Sequence, residues 1–226
     1  MSSSTAEAGG RLPVVVLLSG NGSNFAAIAA AARAATLPIE IRAVLSDRPE
    51  ARGLERARAL GIPAEAVMAE GFADRARHDA ALAARVDARQ PALVVLAGYM
   101  RILGAAFVAR YADRMLNIHP SLLPELRGLD THRRALAAGV ATHGCSVHFV
   151  TDELDGGPLV AQAPVPVLVC DTPESLSARV QRAEHRLYPT VIGWYATGRL
   201  RSIEGRVILD GRPLDAPVRL EHLDAR

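Results

Sequence analysis

The feature that most constrains the fold is a β-branched run, Pro13-Val14-Val15-Val16-Leu17-Leu18, that opens directly onto Ser19-Gly20-Asn21-Gly22-Ser23-Asn24. A strand with no polar face needs cover on both sides, which buried parallel sheets provide. An Ala-rich helix is expected next, from Phe25 to about Ala35, with Ser23 or Asn24 as its cap. Strand, glycine-rich turn and helix start form an arrangement that aims backbone N–H groups and the helix dipole at an anion. The same pattern also describes an unliganded βα turn. G-x-G-x-x-G is absent, so a dinucleotide fingerprint is not met.

The pattern repeats along the chain. Strands are expected at Ile39 to Leu45, Ala64 to Val67 and Leu93 to Leu96, with helices at Gly53 to Leu60 and Asp74 to Arg89 between them. Further strands are read at Met115 to His119, His143 to Val150 and Leu159 to Val169. Pro164 and Pro166 suit a sheet edge. A short helix is expected from Thr131 to Ala138, capped by Thr131. A long one begins at Thr172-Pro173-Glu174, runs to about Thr197 and has a possible bend at Pro189. Val207 to Arg212 reads as a hairpin turning at Asp210-Gly211. The expected architecture is a single-domain, Rossmann-like α/β fold over residues 13–212. Its doubly wound, mostly parallel sheet carries helices on both faces and a C-terminal antiparallel portion. Residues 1–12 and 213–226 are expected to be tails, the first of them disordered.

Composition excludes several kinds of chemistry. All 26 basic residues are arginine, so a phosphate loop or Schiff base that requires lysine is absent. Anion binding is one reading of the arginine excess, but the Ala-Arg richness favours genome composition bias. The net charge of +2 is no nucleic-acid signature. No apolar run approaches membrane-spanning length, and the Ser/Ala/Gly-rich start is no signal peptide. Cys145 and Cys170 form neither a redox nor a zinc motif, which fits a reducing cytoplasm. His143 and His148 are five apart on one strand and are expected to face opposite ways, so no metal site is expected.

Arg114-Met115-Leu116-Asn117-Ile118-His119-Pro120-Ser121-Leu122-Leu123-Pro124 carries the chemistry. It starts as a strand and is broken by Pro120. Asn117 and His119 are two apart and therefore share a strand face. Both can donate to a developing oxyanion, and imidazole can also carry a proton. Each alone also suits a turn cap or a satisfied buried histidine. The acidic turn Asp152-Glu153-Leu154-Asp155-Gly156-Gly157 can bring a carboxylate to the imidazole. Together these groups suggest acyl or formyl transfer through a tetrahedral intermediate. Ala97-Gly98-Tyr99-Met100-Arg101-Ile102-Leu103 should border the same crevice. Met100, Ile102 and Leu103 would form a slot for a flat ring, or plain core.

In this order, the Ser19–Asn24 loop, Ala97–Leu103, Leu116–Pro124 and His148–Gly157 resemble the phosphoribosylglycinamide formyltransferase family of folate-dependent purine-biosynthesis enzymes. The resemblance covers roughly residues 13 to 212 and implies the formyltransferase fold. It implies that Asn117, His119 and Asp155 are catalytic. Gly22, Ser23 and Asn24 would hold the ribonucleotide phosphate, and Glu184 would contact the ribose. Arg75, Met100, Arg101, Ile102, Leu103, Asn117, Thr151, Asp152, Glu153, Leu154 and Asp155 would border the folate. The co-substrate would be 10-formyltetrahydrofolate, with no metal, nucleic-acid or membrane partner, and with a monomer or homodimer both open. The departure from the family pattern is Asp130, where such enzymes more often carry His or Asn. Formyltetrahydrofolate deformylase shares the catalytic segment but should carry an extra N-terminal domain, and methionyl-tRNA formyltransferase should carry a basic C-terminal one. A non-catalytic phosphate-binding module would explain Gly20–Asn24 but not Asn117, His119 and Asp155 together.

Overall fold

The computed structural model describes residues 10–221. An eight-stranded sheet forms the centre, in the order β11-β7-β6-β5-β4-β1-β2-β3. β1 (Leu12–Leu18) lies between β2 (Ile39–Ser46) and β4 (Leu93–Leu96), parallel to both. β3 (Ala64–Ala66) extends one side. β5 (Met115–His119) continues the parallel run beyond β4. β6 (Thr142–Phe149) and β7 (Leu159–Pro166) then reverse direction in turn.

Alternation along β1 explains the two-sided cover. Val14, Val16 and Leu18 enter one core with Phe25, Ile28, Leu187 and Val191. Val15 and Leu17 enter a second core with Leu82, Val86, Phe107 and Tyr111. The first core packs α1 (Ser23–Arg33), α2 (Arg52–Ala59), α5 (Thr131–Ala137) and α6 (Pro173–Ala196). The second packs α3 (Arg75–Asp87) and α4 (Ala105–Arg110). α4, a short helix that the sequence reading passed over, closes the loop after β4 and contributes Phe107 to the second core. α6 runs through Pro189 without ending. Thr172 caps it by accepting from the Ser175 N–H, as a capping box requires.

The C-terminal end differs from expectation. β8 (Leu200–Ile203), β9 (Arg206–Leu209) and β10 (Arg212–Pro213) form a separate antiparallel sheet, with Asp210 and Gly211 both at positive φ in the turn. The segment expected as a tail from 213 supplies β11 (Val218–Arg219), which pairs parallel with Ala161 and Gln162. β7 is therefore not the edge strand along its whole length. Pro164 and Pro166 lie past the β11 pairing, and among the described residues no strand pairs with them on that side. Of the tail expected over residues 1–12, residues 1–9 lie outside the described residues, and Leu12 already belongs to β1.

The chain passes from β1 to β2 and β3 on one side, then crosses to β4 on the other. That switch point leaves a crevice at the carboxyl ends of β1 and β4. The Ser19 N–H donates to the Gly98 carbonyl (2.9 Å), and the Met100 N–H donates to Ser19 Oγ (2.8 Å), so the two loops are stapled together. Tyr188 of α6 donates to the carbonyls of Leu96 and Leu116, each at 2.9 Å, under the same edge.

A buried polar network holds the loop after β5. Gln162 Nε2 donates to the Leu123 carbonyl (2.7 Å) and to Ser146 Oγ (3.0 Å), and Ser146 Oγ donates to the Ser121 carbonyl (2.6 Å). Gln162→Leu removes the donor and leaves a buried carbonyl unmatched. Urea unfolding should register a loss of roughly 1–3 kcal/mol. An unchanged midpoint would show that the network contributes nothing to the fold.

Candidate active site

Asn117 and His119 end β5, and Pro120 breaks the ladder behind them. Asp155 enters from the turn after β6 at φ 49°, a conformation Asp tolerates better than most residues. Its Oδ2 lies 3.4 Å from His119 Nδ1 and accepts the Gly128 N–H at 2.9 Å. His119 Nε2 lies 3.1 Å from the Leu126 carbonyl. Both ring nitrogens thus face oxygen acceptors, an environment that the doubly protonated imidazolium satisfies. Both side chains are more than nine-tenths buried, so little water competes for this pair.

Asn117 Nδ2 lies 3.1 Å from Nε2 of His148, its cross-strand partner on β6. His148 Nδ1 is 2.8 Å from the Phe149 carbonyl. Burial lowers the His148 pKa and favours the neutral ring. The sequence reading left His148 out of the site. His143 and His148 do face opposite ways, and the β5–β6 register is what sets His148 against Asn117. His143 faces His132 instead, with ring nitrogens 3.2 Å apart. Among the described residues, no group of three or more His, Cys, Asp or Glu side chains is arranged to hold a metal.

Two cavities border this cluster. The first, about 340 Å³, is lined by Gly20 to Asn24, Arg48, Met100, Pro120, His132 and Glu184 among others. Gly22 caps α1 at φ 70° without any side-chain bond, so neither Ser23 nor Asn24 is the cap. Asn24 Nδ2 reaches across to Glu184 Oε2 at 2.8 Å, tying the loop to α6. Burial pushes the Glu184 carboxyl up to about 7.

The second cavity is a cleft of about 90 Å³ lined by Leu96, Tyr99, Arg101, Ile102, Leu103, Asn117, His148 and Thr151 to Asp155. Arg101, Ile102, Leu103 and the acidic turn therefore border Asn117 as expected. Met100 does not; it turns toward the first cavity. Arg75 lines neither. It sits at the start of α3 in a groove of about 460 Å³ between α3 and α4. Cys145 is fully buried and its thiol is pushed well up by burial, so it packs rather than attacks. Asp130 caps α5 at φ 56° with no side-chain capping hydrogen bond, and its exposed carboxylate lies 3.8 Å from Arg133 Nη2. That backbone conformation suits Asn, Asp and His alike, so Asp is accommodated where His or Asn is more usual.

The sheet order and the switch-point crevice, with Asn117, His119 and Asp155 gathered at its edge, form an arrangement suited to acyl-group transfer. The formyl transferase family model matches residues 12–192, and the chain belongs to that family. The phosphoribosylglycinamide formyltransferase of Escherichia coli (strain K12) is 52% identical over 201 residues, covering 89% of this chain and 95% of that protein. The solved phosphoribosylglycinamide formyltransferase of Coxiella burnetii is 50% identical with a TM-score of 0.89, covering 93% of this chain and 99% of that one. A formyltetrahydrofolate deformylase from Pseudomonas syringae superposes with a TM-score of 0.83 at 25% identity, and this chain covers 66% of it.

Proposed function

We propose that the protein transfers the formyl group of 10-formyltetrahydrofolate to the amine of phosphoribosylglycinamide. The products are formylglycinamide ribonucleotide and tetrahydrofolate, a step of purine biosynthesis. The observation that carries this reading is the Asp155–His119 pair at 3.4 Å beside Asn117, with a glycine-loop cavity on one side and a cleft lined by Ile102, Leu103 and the 151–155 turn on the other.

In this reading the N–H groups at the start of α1 and the Gly22-Ser23-Asn24 turn bind the phosphate. Glu184 meets the ribose. The folate occupies the cleft beside Arg101, Ile102, Leu103 and Thr151 to Asp155. Asn117 Nδ2 and the His119 imidazolium donate to the formyl oxygen as the amine adds to the carbon. Asp155 holds His119 charged. It also accepts the proton that the amine loses and, directly or through water, returns one to the departing folate nitrogen. The nitrogen–carbon bond to the folate then breaks, and no covalent enzyme intermediate forms. The glycine-loop cavity, at about 340 Å³, is of small-molecule size. Both cysteines are free, as suits a reducing cytoplasm, and among the described residues no helix is long and apolar enough to cross a membrane.

The test is tetrahydrofolate formation from 10-formyltetrahydrofolate with the ribonucleotide supplied or withheld. Product only in its presence is the expected result. Equal turnover without it would make the protein a hydrolase of the deformylase kind.

A further inference from the structure

We infer that His148 is a positioning residue that decides which end of the Asn117 amide faces the reacting formyl group. The inference deepens the proposed reaction and rests on Asn117 acting as an oxyanion donor there.

The argument starts from the Phe149 carbonyl, which can only accept a hydrogen bond. His148 Nδ1, 2.8 Å away, must therefore carry the ring's proton. In the neutral ring Nε2 is then a bare lone pair, and it lies 3.1 Å from the Asn117 amide. An amide oxygen placed there would set acceptor against acceptor, so the amide must present Nδ2. One of its two N–H groups is spent on His148, and the second remains for the cleft that both residues line. Without His148 the amide can rotate by half a turn at little cost and offer its oxygen, which repels a developing oxyanion.

The surroundings keep the ring in the required state. His148 is 2% exposed, and burial is the largest influence lowering its pKa. The nearby positive charges on His119 and Arg127 act in the same direction, whereas the Phe149 carbonyl at Nδ1 and Asp155 Oδ1, 3.9 Å from Nε2, oppose them. A proton on Nε2 would make it a donor and invert the amide. This function needs a buried imidazole with one nitrogen already committed to backbone, which β6 supplies through the Phe149 carbonyl.

Two substitutions separate positioning from packing. His148→Asn keeps a short-arm N–H for the Phe149 carbonyl but removes the acceptor at Nε2. It should lower kcat about tenfold while both KM values stay within about twofold, a coupling ordinary for side chains in contact. His148→Gln can return an oxygen to the Nε2 position and should recover most of that loss, to within about threefold of the parent. A double-mutant cycle closes the test. Asn117→Ala alone should cost about 100-fold in kcat, the usual cost of one oxyanion donor. In that background His148→Asn should cost less than about twofold, because there is no amide left to orient. Additive losses, or equal kcat losses in the Asn and Gln variants alongside equal drops in Tm, would overturn the inference and leave the formyl-transfer reading standing. Near-parental kcat for Asn117→Ala would instead overturn the oxyanion reading on which it rests.

Discussion

Asp155→Asn is expected to lower kcat by about 1000-fold with the fold intact, within the range that general acid–base groups contribute. The substitution is nearly isosteric. Asn accepts the Gly128 N–H as Asp155 does at 2.9 Å, and it tolerates the positive φ of 49° at this position. What it lacks is the negative charge 3.4 Å from His119 and the capacity to take up a proton. The imidazolium loses its counter-charge, and the amine proton loses its acceptor. KM for either substrate should change much less than kcat, because the loss falls on the transition state. Rapid-quench or steady-state turnover, read beside Tm, makes the comparison. Near-normal kcat with a normal Tm would remove Asp155 from the proton path.

Gly22→Ala should raise KM for the ribonucleotide by about 100-fold, the scale on which a displacement of about 1 Å degrades a preorganised contact. A Cβ at Gly22 would stand 2.7 Å from the Gly53 Cα, a backbone atom that cannot rotate away. The residue also sits at φ 70°, which costs a non-glycine residue roughly 1–2 kcal/mol. The turn must move, and its N–H groups move with it. Gly61→Ala is the control. Gly61 has φ 72° and its added Cβ meets nothing within 4 Å, so the same strain appears away from the cavity. It should lower Tm without touching KM. A ribonucleotide KM equally indifferent to both substitutions would show that the Gly22 turn does not bind the phosphate.

Much of this site was legible from local pattern. The run Val14 to Leu18 has no polar face, so it had to be covered twice, and the two cores confirm the reason. Asn117 and His119 were paired by strand parity, and Pro120 marked where the strand stops. The glycine loop followed a strand directly, which put it at the carboxyl edge of the sheet. Legibility ended where neighbours come from distant sequence. Met100 and Leu103 are three apart on one loop yet line different cavities, since the loop itself divides them. The pairing of His148 with Asn117 depended on the β5–β6 register, which no count along β6 alone can give.

Local chemistry alone therefore determined the strand–loop–helix start, the break at Pro120, the donors at Asn117 and His119 and the available carboxylate at Asp155. Backbone conformation and hydrophobic alternation act over a few residues, and the sequence states them directly. Only the folded chain decided that β11 would cap β7, that Arg75 would turn to another groove, and that His148 would face the Asn117 amide. Those outcomes depend on strand register and long-range packing, which balance energies across the whole sheet and leave no mark on any short stretch of residues.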